Sequence, residues 1–161
     1  MVLTSTAIVN GNIGDVYNCI GVNDNIPGAP KTPPLSWTGA PAGTKSFAVI
    51  LSGIKGGGDE GIMLVVYNIP PTSKGLPEGL KEGLADPQIG TLGLEDSGNT
   101  GYRAPCGGSA GPWKKTFTLY ALSAVPVLPD DPKSVDATTL RAAMEKIMLD
   151  TATLDFTLIL K

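Results

Sequence analysis

With 161 residues, a formal net charge of −3 and 42% hydrophobic composition, the chain is long enough for one domain with a real core and lacks the basic footprint of a nucleic-acid binder. Its 21 glycines and 14 prolines are scattered rather than periodic, which predicts many turns between short strands, and the apolar content argues against disorder. Histidine is absent, which excludes Ser-His-Asp and Cys-His catalysis and histidine metal sites; no metal and no cofactor are expected.

Met1–Ile8 is the first, short strand candidate, and it reads as strand rather than as a leader sequence. Asn18–Pro34 is expected to be irregular, and Trp37 with its flanks forms the next short strand after the stiff entry Pro33-Pro-Leu-Ser-Trp37. Strong strand signals follow at Ser46–Ser52, where Phe47, Val49 and Leu51 alternate with smaller residues, and at Ile62–Ile69. The run from Ile62 to Tyr67 has no alternation, which predicts a central strand covered on both faces. Between these two strands lies Lys55-Gly-Gly-Gly-Asp59-Glu60-Gly61, which carries none of the lysine-serine/threonine context of a phosphate loop and reads first as a hairpin tip.

Thr72–Tyr102 and Arg103–Lys115 are long irregular segments, with Thr91–Leu94 as a short strand and Pro77–Leu84 as a weak helical turn that its glycines oppose. Loops of this length in a compact domain are candidates for the walls of one pocket. Glu95-Asp-Ser-Gly98-Asn-Thr-Gly-Tyr102-Arg-Ala-Pro105-Cys106 has the glycine and Asx content of either a structural loop or a wall. Trp113-Lys-Lys115 could hold an anion or stack a planar ligand, or simply begin the strand Thr116–Leu122. Asp136 is placed to cap a helix on which Leu140, Ala143, Met144, Ile147 and Met148 share a face. In the closing strand Thr153–Lys161, Leu154, Phe156, Leu158 and Leu160 face one way, and Ile159 on the other face suggests a covering partner.

These elements predict a mainly β, antiparallel architecture with one helix packed on it, as a single domain over residues 1–161. The two cysteines, Cys19 and Cys106, are either free thiols or one disulfide tying two loops, with a nucleophilic Cys106 as a further reading. No apolar run is long enough to cross a bilayer, so no membrane insertion and a cytoplasmic location are expected.

Several stretches together resemble the phosphatidylethanolamine-binding protein (PEBP) family, in its bacterial Raf-kinase-inhibitor-like branch. They are Pro33 through Leu51, Val65-Val-Tyr-Asn-Ile-Pro-Pro-Thr72, Gly75-Leu-Pro-Glu-Gly79, Gly98 through Cys106, Phe117-Thr-Leu-Tyr-Ala-Leu122 and the late helix with its following strand. The resemblance implies a β-sandwich of two antiparallel sheets with a C-terminal helix and final strand. It also implies a pocket at one end of the central sheet for phosphate-like or carboxylate ligands. At that pocket the chain departs from the family pattern. Ser52-Gly-Ile-Lys55 stands where the family has Asp-Pro-Asp, Met63 stands for a histidine, and Trp113 and Lys115 stand for His-x-Tyr.

Exchanging imidazole for thioether and indole predicts a more apolar, more adaptable pocket for an organic molecule bearing a carbonyl or anionic group. Its expected lining is Met63, Trp113, Trp37, Pro105 and Cys106, with Lys55, Lys115 or Tyr102 donating to the ligand. The expected partner is thus an apolar small-molecule ligand or substrate, and a homodimer is compatible with the sequence. By resemblance, such a pocket also suits a cofactor-free cyclase shaping a polyene in natural-product biosynthesis, where alignment does the catalytic work. A kinase-inhibitor-like protein-binding module and a decayed, ligandless relative are the remaining readings.

Overall fold

The computed structural model describes residues 1–54, 58–107 and 113–158. Among these, strands β1 (Val2–Thr4), β4 (Leu35–Thr38) and β7 (Gly75–Leu76) form a small sheet in the order β1-β4-β7. A larger sheet contains β2 (Ile8–Val9), β3 (Asn12–Ile13), β5 (Ser46–Ile54), β6 (Glu60–Ile69), β8 (Ala85–Asp86), β9 (Gly90–Leu92), β10 (Trp113–Leu122) and β11 (Met148–Leu158). Its order is β2-β3-β11-β10-β5-β6-β9-β8, antiparallel throughout except for the single β3–β11 bridge at Asn12 and Thr157. The described residues also hold two α-helices, α1 (Cys19–Asn23) and α2 (Ala137–Met144), and 3-10 turns at Asp15–Tyr17 and Pro132–Ser134.

The alternation in the sequence decides which side chains meet. Phe47, Val49 and Leu51 of β5 join Phe117 and Leu119 of β10 and Phe156 and Leu158 of β11 in the core shared with the small sheet, where Leu3, Leu35, Trp37 and Leu76 face them. The opposite face of the large sheet carries Ala48, Ile50, Val65, Tyr67, Tyr120 and Leu122, and α2 covers it with Ala137, Leu140 and Met144. Strand β6 feeds both cores, with Leu64 and Val66 in one and Val65 and Tyr67 in the other. Its unbroken apolar run has this cause.

Where structure and sequence part, pairing has overridden local pattern. The helical stripe reached Met148, yet α2 ends at Met144 and Met148 opens β11 opposite Leu122. Ser123 N–H donates to Ile147 C=O at 2.8 Å, so the last residues of the stripe are claimed by the sheet instead. β10 likewise begins at Trp113 rather than Thr116, with Lys115 between Gly53 of β5 and Phe156 of β11. The segment expected to be irregular from Asn18 contains α1, capped by Asn18 Oδ1 accepting from Ile20 N–H at 2.7 Å. Pro77–Leu84 holds no helix, as its glycines required. Ile159 and the covering partner inferred from it lie outside the described residues.

Helix α2 is fixed at its start by Asp136, whose Oδ1 accepts from Thr139 N–H at 2.8 Å. That bond, with the Thr139 hydroxyl, holds the Asp136 carboxyl below the usual aspartate range. Because the folded-state value is depressed, the contribution is present above the unfolded value and disappears as pH falls through the folded one. Asp136→Ala is therefore expected to cost about 1 kcal/mol at neutral pH. Urea titrations at stepped pH should show the gap from the parent protein closing in acid.

Candidate functional site

The end of the large sheet where β5 leaves the core is built on glycine and lysine. On β10, Lys115 follows the parity of Phe117 and Leu119 and is only 7% exposed. Its pairing partner on β5 is Gly53, which in turn pairs with Gly61 of β6. A Cβ on Gly53 would overlap Lys115 Cδ and stand 3.0 Å from Nζ, so the lysine stem lies flat over the Gly53 backbone. Glycine at 53 is what lets the lysine fold back over the sheet.

Met63, 5% exposed, sits one strand beyond β5, about 10 Å across the sheet from β10 by two strand spacings. The segment Arg103–Gly107 bridges the gap. Arg103 N–H donates to Met63 C=O at 2.9 Å, and Cys19 N–H donates to Pro105 C=O at 3.1 Å. Cys106 is bonded to Cys19, with Cα atoms 5.3 Å apart. Gly107 packs so closely on Trp113 that a Cβ there would overlap the indole Cδ1. A strap tied to α1 thus runs from the Met63 side of the sheet to the Trp113 side, with Lys115 on the strand between Gly53 and Phe156.

The electrostatics of this corner are one-sided. Burial, and then the nearby Arg103 guanidinium, lower the Lys115 ammonium below the usual lysine range. Among the described residues no hydrogen bond or ion pair meets its Nζ. Since among the described residues no fully occluded side-chain nitrogen or oxygen lacks a partner, that Nζ keeps an opening to its surroundings. Lys114, of opposite parity, is answered instead by Asp155 at 2.9 Å. An uncompensated buried cation destabilises the fold at every pH where it is charged. With the folded-state value depressed, the unfolded chain holds the extra proton between the two values, and stability rises with pH across that window. Lys115→Met is accordingly expected to raise neutral-pH stability by on the order of 1 kcal/mol, or about 2–4 °C in Tm. Calorimetry at several pH values should find that gain shrinking in alkali.

The other sequence-derived candidates fall elsewhere. Trp37 donates its indole N–H to Ser73 C=O at 3.1 Å and packs on Phe47 with ring centroids 5.3 Å apart. Phe47 lies six residues along β5 from Gly53, about 20 Å at strand rise, so Trp37 belongs to the far end of the sheet. There it borders a hollow of about 530 Å³ with Ala40, Phe47 and Pro71. The Tyr102 hydroxyl donates to Tyr17 C=O at 2.6 Å, and burial pushes its pKa far up, so its proton is already committed. Tyr102 lines a polar hollow of about 490 Å³ with Lys31, Thr32, Glu78, Glu82 and Glu95, whereas Trp113 borders one of about 320 Å³ with Ser52, Gly53, Ile54, Lys114 and Thr116, which neither Met63 nor Lys115 lines. Pro105 is buried in the strap, and Cys106 is a half-cystine, which removes the free-thiol and nucleophile readings. Lys55 lies outside the described residues. Sequence reasoning missed Arg103, Gly53 and Gly107; only a glycine closing an apolar strand hinted at one of them.

The profile of phosphatidylethanolamine-binding proteins matches residues 4–159. The chain belongs to the phosphatidylethanolamine-binding protein family. A UPF0098 protein of Methanothermobacter thermautotrophicus is 38% identical over 115 residues, covering 71% of each chain. One from Chlamydia muridarum is 31% identical over 163 residues, 96% of this chain and 95% of that one. The crystal structure of a PEBP homologue from Chlamydia trachomatis superposes with a TM-score of 0.80 at 30% identity, covering 99% of this chain and 97% of that one. Escherichia coli YbcL gives a TM-score of 0.82 at 23% identity over 99% and 98%, a likeness of fold. At the level of the PEBP family, the chain is a small-ligand-binding protein, and no helix among its described residues is long and apolar enough to span a membrane.

Proposed function

We propose that this PEBP-family chain binds an apolar organic molecule bearing a carbonyl or carboxylate, seated between Met63 and Trp113 and anchored by Lys115. The observation that carries the reading is Lys115 itself, a residue only 7% exposed that has Arg103 as a charged neighbour and, among the described residues, no ion-pair partner. A cation left so by the fold is answered by a ligand. The thioether of Met63 and the indole of Trp113 supply adaptable apolar contact, and Gly53 keeps the floor low. Phosphate headgroups fit less well, because the chain has no histidine to donate to them.

Isothermal titration of the full chain with decanoate and with O-phosphoethanolamine tests this. Decanoate should bind, and Lys115→Met should weaken it at least tenfold. Tighter binding of O-phosphoethanolamine than of decanoate overturns the reading. The cyclase alternative uses the same lining, with Lys115 as the donor because the Tyr102 proton is held by Tyr17. Incubation with a polyene aldehyde and product analysis separates it from binding alone.

A further inference from the structure

We propose that Lys115 Nζ forms a reversible imine with an aldehyde or ketone, which makes this corner of the sheet a covalent carbonyl-capture site. The inference rests on the small-molecule reading above and deepens it by naming the carbonyl carbon as the point of attachment.

Three features of the lysine differ from those of a structural one. Its stem is immobilised, lying over Gly53 with no Cβ beneath it, so the amine is held in one place rather than sweeping through solvent. It has no ion-pair partner among the described residues, in contrast to Lys114 with Asp155 and Lys31 with Glu78, so no carboxylate holds it protonated. A further cation, Arg103, stands near it, on the strap that also carries the disulfide. Desolvation and a neighbouring cation both weaken an ammonium's hold on its proton, which enlarges the share of neutral, nucleophilic amine. The half-buried Trp113, two residues before Lys115 on β10, gives an unsaturated or aromatic carbonyl compound a surface to lie on.

The step balances without an oxidant or a reductant. The neutral amine lone pair attacks the carbonyl carbon, forming a C–N bond and breaking the C=O π bond. The oxygen takes a proton from nitrogen to give a carbinolamine. The C–O bond then breaks with protonation of the departing hydroxyl, water leaves, and the nitrogen lone pair closes the C=N bond as an iminium. Hydrolysis reverses each event and returns the carbonyl compound unchanged. Arg103 is placed to favour loss of the ammonium proton before attack, not to bond the product.

Reductive trapping tests the proposal. The folded chain is incubated with 4-butylbenzaldehyde and sodium cyanoborohydride, and adducts are located by intact mass and peptide mapping. Lys115 should acquire one equivalent at least tenfold faster than exposed Lys45, Lys74 and Lys81, and 6 M urea should erase the preference. Lys115→Arg, which keeps the charge, should leave only the slow surface labelling. Gly53→Ala, which displaces the stem, should slow trapping at Lys115 several-fold in a chain that still folds by circular dichroism. Labelling of Lys115 no faster than the surface lysines overturns the proposal. If decanoate still binds in that case, the non-covalent reading stands alone; if decanoate also fails, both fall together.

Discussion

Replacing Cys19 and Cys106 together by serine lowers stability by about 4.6 kcal/mol, the value chain entropy gives for a loop of this length. The bond closes a loop of sequence separation 87, so its loss frees more than half the chain in the unfolded state. The native state also loosens where it matters. The strap Arg103–Gly107 is held at Met63 by one backbone hydrogen bond and at Cys19 by another, and the disulfide is its covalent anchor. Urea denaturation with and without dithiothreitol checks the effect. The parent protein should fall to the level of the double variant under reduction, and the variant should not respond. Equal midpoints for parent and variant would show that the bond constrains nothing. Such a bond persists in oxidising surroundings and is rare in a reducing cytosol, so the cytoplasmic expectation gains no support from it.

Phe117→Ala is expected to cost about 3–5 kcal/mol, since the ring is fully buried and the surrounding strands have little room to collapse. Phe117 packs on Phe156 with ring centroids 5.7 Å apart, and both flank Lys115, the first two positions along β10 and the second across from it on β11. The variant therefore damages the site through its floor. The midpoint in urea should drop with an unchanged slope, and decanoate affinity should fall in the population that remains folded. Phe117→Leu, which keeps most of the volume, should recover the greater part of both. A loss below 1 kcal/mol for the alanine variant would mean that this end of the core is not packed as described.

The large sheet was legible because its strands are long and obey one rule each. β11 alternates and is buried on one face, β6 does not alternate and is buried on both, and β5, whose alternate residues Ala48 and Ile50 enter the second core, is also covered on both. The Asp136 cap was legible for a similar reason, being local. The end of α2 was not. Ile147 and Met148 satisfy the helical stripe, but Leu122 offers Met148 a strand partner 26 residues away, and no local pattern reports that competition.

The site divides in the same way. The sequence by itself determined the family and the absence of imidazole. Only the tertiary structure decided that Trp37 stands at the other end of the sheet, that the Tyr102 proton belongs to Tyr17, that Cys19 and Cys106 are joined, and that Gly53 and Gly107 receive the lysine stem and the indole. The physical reason is range. Periodicity and propensity act over a few residues, whereas each of these contacts depends on backbone segments far apart in sequence reaching one another at a fixed register, which the sheet alone supplies.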